Sequence, residues 1–572
     1  MGMLQKEVST TERQYAFWMM CAIVFIVLAS GIGLRDPHPA DEPRFALVAH
    51  QMVSDGQWLF PHRGEELYSD KPPMLMWLQA ITFSVLGSWK IAFLLPSLLA
   101  GFGIIACVYD SVRRFWTPQA ARFTVYLLLF CFQFTYQLKR AQIDGVLLFF
   151  MTLANYGLLR HTISGPKWRW WCIGWFAAGL GTISKGVGAL SLLMLIPAAI
   201  ASIRNFQPSV RIGIHNPRFW LGPIAFIAAV SIWLLPVCIA VYRLHNPEYT
   251  AYLHDILFHQ TVQRYAHPWG HEHGPLYFVG VICTMWLPAS VFLPWALPAW
   301  GRLIRAKDSR YFIPAVWCII VLVFFTLSPG KRDMYIMPAL PMMCCIIGPL
   351  LCALFAQRSV RVTLCVLQLV LLASLLILSI GMLWFPQSIL IQLQEYIPLD
   401  TVNRIGFAFL LTCLFGALCF CILRNSQYPI PGIVMLTCVW VVIGVLVYPA
   451  INDEISARGL MRTVGSVIGP NAQLGLVSWK EQELLMADRP AQTFGFSQPG
   501  DVQLQRAIAW QMQDPAKRWL LVQQPAVLEC IDRKKSIPMG VANHRYWWLV
   551  PSRAVHGPCQ TPASRTPDTL LE

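Results

Sequence analysis

Two adjacent carboxylates, Asp41 and Glu42, follow the first long apolar run of the chain at 15–34, and Arg44 comes shortly after them. A second polar run at 68–73 contains another acid and a lysine. Carboxylates serve as general bases or orient a substrate, and an ammonium binds an anionic group such as phosphate. Because these groups stand beside an apolar run, the sequence predicts chemistry at a membrane surface on a substrate that arrives from the lipid.

The composition indicates the class of protein that positions these groups. Of the 572 residues, 56% are hydrophobic and only 13% are charged, which is typical of an integral membrane protein. Apolar runs long enough to cross a bilayer end near residue 448, and the chain after Ile451 has the composition of a soluble domain. We predict a mainly α, polytopic membrane domain over 1–450 and a small α/β domain over 451–572 with a disordered end.

The apolar pattern predicts about thirteen transmembrane helices. The first run is too long for a cleavable signal peptide and lacks a small-x-small site at its end, so we expect it to remain as a span. The predicted spans are 15–34, 91–109, 120–138, 143–159, 170–183, 187–203, 219–242, 276–299, 311–327, 334–355, 362–385, 405–423 and 430–448.

The topology depends on the short apolar run Met74–Leu86, which fits either a short span or a surface helix. Only a surface helix places the basic loops and the N-terminus on one side, which is then the cytoplasmic side. The loop 35–90 therefore carries the acidic motif and surface helices on the extracytoplasmic face, and the tail is periplasmic if the membrane is a bacterial inner membrane. The net charge of +15 is scattered over loops, which argues against nucleic-acid binding.

This topology gathers most of the other ionisable groups on the extracytoplasmic face, as a site requires. A simpler explanation stays open for each group. Asp41 and Glu42 form either part of a site or a solvated loop pair or N-cap, and Asp144 either takes part in a site or caps the helix that follows it. Lys185 is either a phosphate contact or a snorkelling interface lysine.

The loop from His267 to His273 alternates imidazole and carboxylate groups, which are metal ligands. Its spacing matches no standard zinc signature. We expect no required cofactor and keep a bound divalent metal as an alternative, with Asp70, His267, His271 and His273 as its candidate ligands.

Cysteine usage separates the two predicted domains. Of the 17 Cys, all but Cys530 and Cys559 lie in the membrane domain, where they behave as small apolar residues. An oxidising compartment would allow a disulfide between the two cysteines of the tail.

Several short motifs resemble those of one glycosyltransferase superfamily. In chain order they are Asp41-Glu42-Pro43-Arg44-Phe45, Asp70-Lys71-Pro72-Pro73, Arg140-Ala141-Gln142-Ile143-Asp144, Ser184-Lys185-Gly186, and Lys331-Arg332 with Tyr335 and Pro338. With them the chain resembles the polyprenyl-phosphate-dependent glycosyltransferases of the GT-C superfamily, most closely the bacterial aminoarabinose transferases that modify lipid A and more distantly the protein O-mannosyltransferases. The resemblance implies a GT-C-type helical bundle.

Three residues depart from the pattern of that superfamily. Pro43 stands where another small or polar residue is usual, and Phe45 stands where Tyr is common. Asp70 replaces the Glu that often precedes the Lys, which puts in doubt any metal site that relatives build with that carboxylate.

The resemblance implies transfer of a sugar from a polyprenyl phosphate such as undecaprenyl phosphate, by an inverting single displacement. Negative charge builds on the leaving phosphate, so the enzyme needs cations there. The residues assigned to the donor phosphate are Lys71, Lys185, Arg264, Lys331, Arg332 and Tyr335. No glycine-rich nucleotide loop is evident in the sequence, so a nucleotide sugar is not implied.

Asp41 is the carboxylate assigned to the reaction centre, as a general base or as the group that orients acceptor and sugar. Glu42 and Asp144 are further candidate catalytic carboxylates, although Glu42 can instead pair with Arg44 to hold the loop. Arg44 and Asp70 are assigned supporting roles.

The sugar and the acceptor stay open at this point. The sugar could be 4-amino-4-deoxy-L-arabinose, glucosamine, mannose or another hexose, and the acceptor could be lipid A, another envelope glycan or a protein. A lipid or sugar transporter is the alternative from a different class, since it would also have many spans. Transporters usually show internal repeats and polar residues at mid-membrane depth, whereas the charges here gather at one face, which favours an enzyme.

Overall fold

The computed structural model describes residues 10–257, 273–386, 397–423 and 429–556. Helices dominate it up to residue 450, and short 3-10 segments at Gly186–Met194, Pro217–Trp220, Ala289–Phe292 and Asp333–Ile336 join some of them. The first helices are α1 (Thr10–Ala29), α2 (Glu42–Asp55), α3 (Met74–Leu86), α4 (Trp89–Ala92), α5 (Leu95–Phe115), α6 (Pro118–Phe130), α7 (Phe132–Leu138), α8 (Ile143–Thr162), α9 (Trp168–Thr182), α10 (Leu195–Ile203), α11 (Leu221–Leu244) and α12 (Pro247–His254).

The helical bundle continues after residue 273. Its further helices are α13 (Tyr277–Met285), α14 (Leu293–Arg305), α15 (Ser309–Leu327), α16 (Ala339–Leu354), α17 (Arg358–Trp384), α18 (Leu399–Leu423), α19 (Ile430–Val442) and α20 (Tyr448–Ala450). A π-helical stretch, Ile443–Val447, joins the last two.

Nine helices of the described residues are long and apolar enough to cross a membrane, or ten if the bent pair Tyr277–Met285 and Ala289–Arg305 forms one broken span. The other predicted positions, 120–138, 170–183 and 334–355, hold helices of sixteen residues or fewer. The mainly α, multi-pass architecture is therefore confirmed, and the count of thirteen crossings stays a prediction.

The loop between the first two spans folds into two helices and a small hairpin. Pro43 lies in the first turn of α2, where its missing N–H costs nothing, and Gly56 ends that helix at a φ of 70°. Strands β1 (His62–Arg63) and β2 (Glu66–Leu67) pair antiparallel. Pro73 directly precedes α3, which ends at Gly87 with a φ of 68°. The position of α3 on the membrane surface stays a prediction.

The tail forms a mixed five-stranded sheet in the order β4-β3-β5-β7-β6. Its elements are α21 (Asn452–Ile455), α22 (Arg458–Ile468), β3 (Gln473–Val477), α23 (Glu481–Leu485), β4 (Ala491–Gln492), α24 (Gly500–Gln511), β5 (Arg518–Gln523), β6 (Ile537–Ala542) and β7 (Arg545–Pro551). Short apolar runs in the sequence predict strands at 474–477, 519–522 and 546–550, and the amphipathic pattern predicts a helix at 502–512; β3, β5, β7 and α24 confirm them. The domain division at residue 450 stays a prediction, and the predicted disordered end falls mostly outside the described residues.

Helix α2 lies between the membrane domain and the tail. Phe45, Val48 and Met52 share a buried cluster with residues of α3 and α8. Leu47, on a different side of the helix, belongs to the buried cluster of the tail sheet together with Trp479. The acidic motif therefore sits where the two parts of the protein meet.

Candidate active site

Asp41 occupies the N-cap position of α2, but its side chain makes no capping hydrogen bond. The side chain is 30% exposed, and its Oδ1 lies 3.7 Å from Nη1 of Arg44, one helical turn further on. The position of the predicted N-cap is thus correct, and its hydrogen bond is absent. A carboxylate held this loosely is available to a substrate hydroxyl or amine.

Glu42 points into the protein and is fully buried. Its Oε1 accepts hydrogen bonds from Arg35 Nη2 at 2.8 Å and from the backbone N–H of Ala141 at 2.9 Å, and Oε2 accepts from Arg35 Nη1 and the backbone N–H of His38. Burial alone would raise the pKa of Glu42, but the charge and hydrogen bonds of Arg35 hold it at about 2.

The alternative pairing of Glu42 with Arg44 is therefore wrong. The two residues lie on different sides of the helix, since successive residues turn by about 100°, and Arg44 instead contacts Glu481 of the tail. The full burial of Glu42 favours a role in holding the loop over direct contact with a substrate.

Asp144 and Lys185 form a pair at the end of the bundle. Asp144 lies in the first turn of α8, and its Oδ1 accepts a hydrogen bond from Lys185 Nζ at 2.7 Å. The same ammonium lies 5.1 Å from the ring centre of Tyr335. Gly188 lets the backbone after Lys185 pass close to α9, since a Cβ there would lie 2.1 Å from the carbonyl carbon of Gly181.

Lys71 and Asp70 lie just before α3. Lys71 Nζ donates to the backbone oxygen of Asp70 at 2.9 Å, and Asp70 Oδ2 lies 3.4 Å from Nη1 of Arg63 in the hairpin. Pro72 and Pro73 link this lysine to the helix, as the sequence predicts, and fix the direction of the chain there.

Four of the predicted motifs meet around one hydrophobic cluster, which contains Phe45, Met74, Ile143 and Ile183. Each of these residues lies within three positions of a predicted site residue in a different motif. The fold therefore brings together the ends of α2, α3, α8 and α9, with the predicted acids and lysines at the edge of a shared core.

The late basic motif joins this group through Tyr335. Lys331 is buried, and its Nζ donates to the backbone oxygen of His273 at 2.8 Å; Arg332 is half-buried. Gln133 Nε2 donates to the backbone oxygen of Asp333 at 2.8 Å and so fixes the 3-10 turn that carries Tyr335.

Three predicted residues, Arg264, His267 and His271, lie outside the described residues. Of the remaining metal candidates, Asp70 pairs with Arg63, and the exposed His273 stacks on Tyr277 at 4.3 Å. Within 10–257, 273–386, 397–423 and 429–556, no three His, Cys, Asp or Glu side chains are grouped as metal ligands. A bound metal therefore stays an alternative.

A cavity of about 420 Å³ lies between the loop and the tail, and its lining includes His50, Lys90 and Arg458. None of the predicted catalytic or phosphate-binding residues lines it. The cavity is therefore separate from the predicted site residues.

Sequence reasoning missed Arg35, Arg63 and Glu481. Arg35 follows directly on the first apolar run, and its role as the counterion of Glu42 depends on a contact that spacing does not reveal. Glu481 lies in a tail without a recognisable catalytic cluster. No sequence signal links it to Arg44, 437 residues earlier. In the same tail, Cys530 is disulfide-bonded, and Cys559 lies outside the described residues.

Comparisons of sequence with known proteins agree on one group of enzymes. The family model described as dolichyl-phosphate-mannose-protein mannosyltransferase matches residues 70–249. The undecaprenyl phosphate-alpha-4-amino-4-deoxy-L-arabinose arabinosyl transferase 2 of Pseudomonas fluorescens is 25% identical over 59% of this chain and 60% of its own length. The arabinosyl transferase of Pseudomonas aeruginosa is 28% identical over 56% of each chain. The match thus spans about three fifths of these relatives.

The fold extends the similarity to nearly the whole chain. The crystal structure of ArnT from Cupriavidus metallidurans bound to undecaprenyl phosphate superposes with a TM-score of 0.71 at 18% identity, and the match covers 96% of this chain and 100% of that one. The apo structure of the same protein superposes with a TM-score of 0.69. This chain therefore has the GT-C glycosyltransferase fold and resembles the aminoarabinose transferases within that group.

Proposed function

We propose that this protein transfers a sugar from undecaprenyl phosphate to lipid A, the sugar being 4-amino-4-deoxy-L-arabinose or a close relative. The observation that carries the proposal is the meeting of four motifs around one core, with Asp41, Lys71 and the Asp144–Lys185 pair at its edge. The names of the similar transferases support the donor and the sugar.

The basic residues would stabilise the leaving phosphate. When the acceptor oxygen attacks the anomeric carbon, the bond between that carbon and the phosphate oxygen breaks, and the phosphate leaves with the electron pair. Lys185 is held by Asp144 and the Tyr335 ring before substrate arrives. Such preorganised cations are effective because little reorganisation is needed during the reaction. Lys71 would supply the second positive charge.

Asp41 would act on the acceptor. A lipid A phosphate is already anionic, so Asp41 would mainly orient the acceptor and the sugar, whereas a hydroxyl acceptor would need it as a general base. Its 30% exposed side chain is the accessible carboxylate of the adjacent acid pair. Arg44, at 3.7 Å, would fix its direction.

The same proposal includes the setting of the reaction. The N-terminus would be cytoplasmic, the loop 35–90 and the tail would face the periplasm, and the membrane would be the inner membrane. The transfer would need no cofactor, and a divalent metal would be at most an addition.

A protein acceptor is the second candidate, because the family model that matches residues 70–249 is that of a protein mannosyltransferase. In that case Asp41 would remove the proton from a Ser or Thr hydroxyl. The transporter alternative is weaker, since it offers no reason for acids and lysines to meet at one end of the bundle.

The test is mass spectrometry of lipid A from cells that lack this protein and are complemented with wild type or with Asp41→Asn. We expect a sugar-sized mass to vanish in the deletion, return with wild type and stay absent with the variant. Its value identifies the sugar class. An unchanged lipid A profile in the deletion would exclude lipid A as the acceptor, and a search for lost glycopeptides would then test the protein acceptor.

A further inference from the structure

One acid of the tail connects two arginines of the loop. Nε of Arg44 donates to Oε1 of Glu481 at 2.8 Å, and Nη1 of Arg63 lies 3.6 Å from the same oxygen. The side chain of Glu481 is only 3% exposed. In a poorly hydrated setting such a charge acts strongly on its neighbours.

Each of these arginines also lies close to an acid of the candidate active site. Arg44 reaches Asp41 at 3.7 Å, and Arg63 reaches Asp70 at 3.4 Å, directly before Lys71. The charges therefore alternate along a chain with Glu481 at its centre. Both ends of this chain belong to the motifs that the proposed function uses.

The tail also contacts Arg63 through an aromatic ring. The guanidinium carbon of Arg63 lies 3.9 Å from the centre of the Phe496 ring. An arginine stacked on an aromatic ring and paired with carboxylates has few other positions available. The tail thus fixes the direction from which Arg63 approaches Asp70.

We propose that Glu481 is a positioning residue for the transfer reaction, through which the tail sets the positions of Asp41 and of the Asp70–Lys71 segment. The inference rests on the proposed function of these motifs. It gives the tail a part in the chemistry without any contact to the substrate.

Docking of the tail alone does not explain a buried acid at this place. Leu47 inserts into the tail core, the ring of Trp479 packs against Gly64, and Glu66 accepts hydrogen bonds from Ser497. These contacts remain when Glu481 is neutralised. Neutralising Glu481 leaves Arg44 and Arg63 partly exposed and beside Asp41 and Asp70, so its loss should destabilise the protein less than the loss of a fully buried partner, and its main effect is on geometry.

Without this negative charge, both arginines would turn toward the acids that remain. Arg44 would close on Asp41, and Arg63 would close on Asp70. Asp41 and the Asp70–Lys71 segment would then be displaced from the positions that the transition state requires. A displacement of about 1 Å can cost a hundredfold in rate. Lys71 is assigned to the phosphate, whose negative charge grows in the transition state, so kcat should fall more than KM for the donor rises.

The test compares Glu481→Gln with Glu66→Gln in purified full-length protein. Both substitutions neutralise a glutamate at the same interface, but only the first lies between the two arginines. We expect kcat to fall at least tenfold in Glu481→Gln, with a much smaller change in donor KM and only a small loss of Tm, and kcat to stay within twofold of wild type in Glu66→Gln. Glu481→Asp should recover part of the rate, because it restores the charge.

Amide hydrogen exchange provides a readout that does not need activity. We expect 41–45 and 63–71 to exchange faster in Glu481→Gln than in wild type, with 41–45 unchanged in Glu66→Gln. Near-normal kcat and exchange in Glu481→Gln would overturn the inference, as would equal losses of rate and Tm in both variants. If wild type transfers no sugar, the proposed function fails, and the exchange result still decides whether Glu481 positions the two segments.

Discussion

The adjacent residues Asp41 and Glu42 have opposite surroundings. Asp41 is 30% exposed and its Oδ1 lies 3.7 Å from Nη1 of Arg44, whereas Glu42 is buried with four hydrogen bonds from Arg35, His38 and Ala141. The surroundings of these two adjacent acids therefore argue against a catalytic pair. Glu42 holds the loop together through its hydrogen bonds, and Asp41 is partly exposed at the start of α2.

The sharpest test of this comparison is Asp41→Asn. The amide keeps the size of the side chain and cannot act as a base or carry the negative charge, so we expect transfer to fall about a thousandfold or more. Tm should stay within about 1 °C, because the side chain has no buried partner. Sugar transfer to lipid A by membranes, with the amount of folded protein measured alongside, checks it. Substantial activity in this variant would remove Asp41 from the reaction centre.

Lys71→Ala extends the comparison to the lysine assigned to the donor phosphate. Removing one charge that stabilises a developing anion costs about a hundredfold to a thousandfold in rate. We expect kcat to fall in that range while the protein inserts and expresses normally. Lys90→Ala is the matched control, since Lys90 is an exposed lysine on the cavity that holds none of the predicted site residues. Equal losses in both variants would mean that total positive charge matters and position does not.

Glu42→Gln should lower stability and leave the activity of the folded protein intact, which is the opposite of the effect expected for Asp41→Asn. Neutralising one member of a buried ion pair leaves the charge of Arg35 uncompensated, which costs about 3 kcal/mol. The pKa of Glu42 at about 2 lies below its usual 4.5, so this stability is present above about pH 4.5 and is lost as the pH falls toward 2.

Thermal unfolding in detergent at pH 7 checks this prediction for Glu42. We expect a clear drop in Tm, and any folded fraction should retain activity per molecule. A variant with unchanged Tm and no activity would restore Glu42 to catalysis and reverse the assignment of the two acids.

Much of the fold was predictable because it depends on local patterns. The long apolar runs located the helices of the bundle, and short apolar runs located β3, β5 and β7 of the tail. Asp144 and Lys185 were also identified from the sequence as candidate site residues. Their pairing at 2.7 Å joins positions 41 residues apart and was not predicted.

The contacts that distinguish the two acids could not be read from the chain. Arg35 resembles any arginine after a span, and the distinction between a buried and an exposed acid depends on which side of α2 meets which neighbour. The link from Arg44 to Glu481 joins the loop to the tail, and the two residues are 437 positions apart in the sequence. Tertiary packing decides such contacts, whereas residue spacing only limits them.

A third glutamate, Glu483, extends the comparison to a buried acid without a close cation partner in the described structure. Burial raises its pKa from 4.5 to about 7, against hydrogen bonds from backbone N–H groups and the more distant charge of Arg545. The folded state therefore binds a proton between about pH 4.5 and 7 that the unfolded state has lost. Stability should fall across this range by about 3 kcal/mol at most.

Glu483→Gln should remove that slope, since Gln stays neutral and its oxygen can still accept the hydrogen bond from the backbone N–H of Lys480. Tm measured at pH 5 and pH 8 should then differ less than in wild type. Glu529→Gln, at an exposed position of the same tail, should keep the wild-type difference. An identical pH dependence in wild type and Glu483→Gln would show that Glu483 does not titrate in this range.

The smallest expected effect is that of Asp55→Asn at the other end of α2. Asp55 is an exposed acid of the same helix, and its Oδ1 accepts a hydrogen bond only from the neighbouring Ser54 among the contacts described for it. Substitutions at such surface positions change stability by about 0.5 kcal/mol or less. We expect normal transfer and normal Tm in the assays used for Asp41→Asn. A loss of transfer here would mean that any negative charge on α2 supports the reaction, and the special position of Asp41 at the helix start would no longer explain its effect.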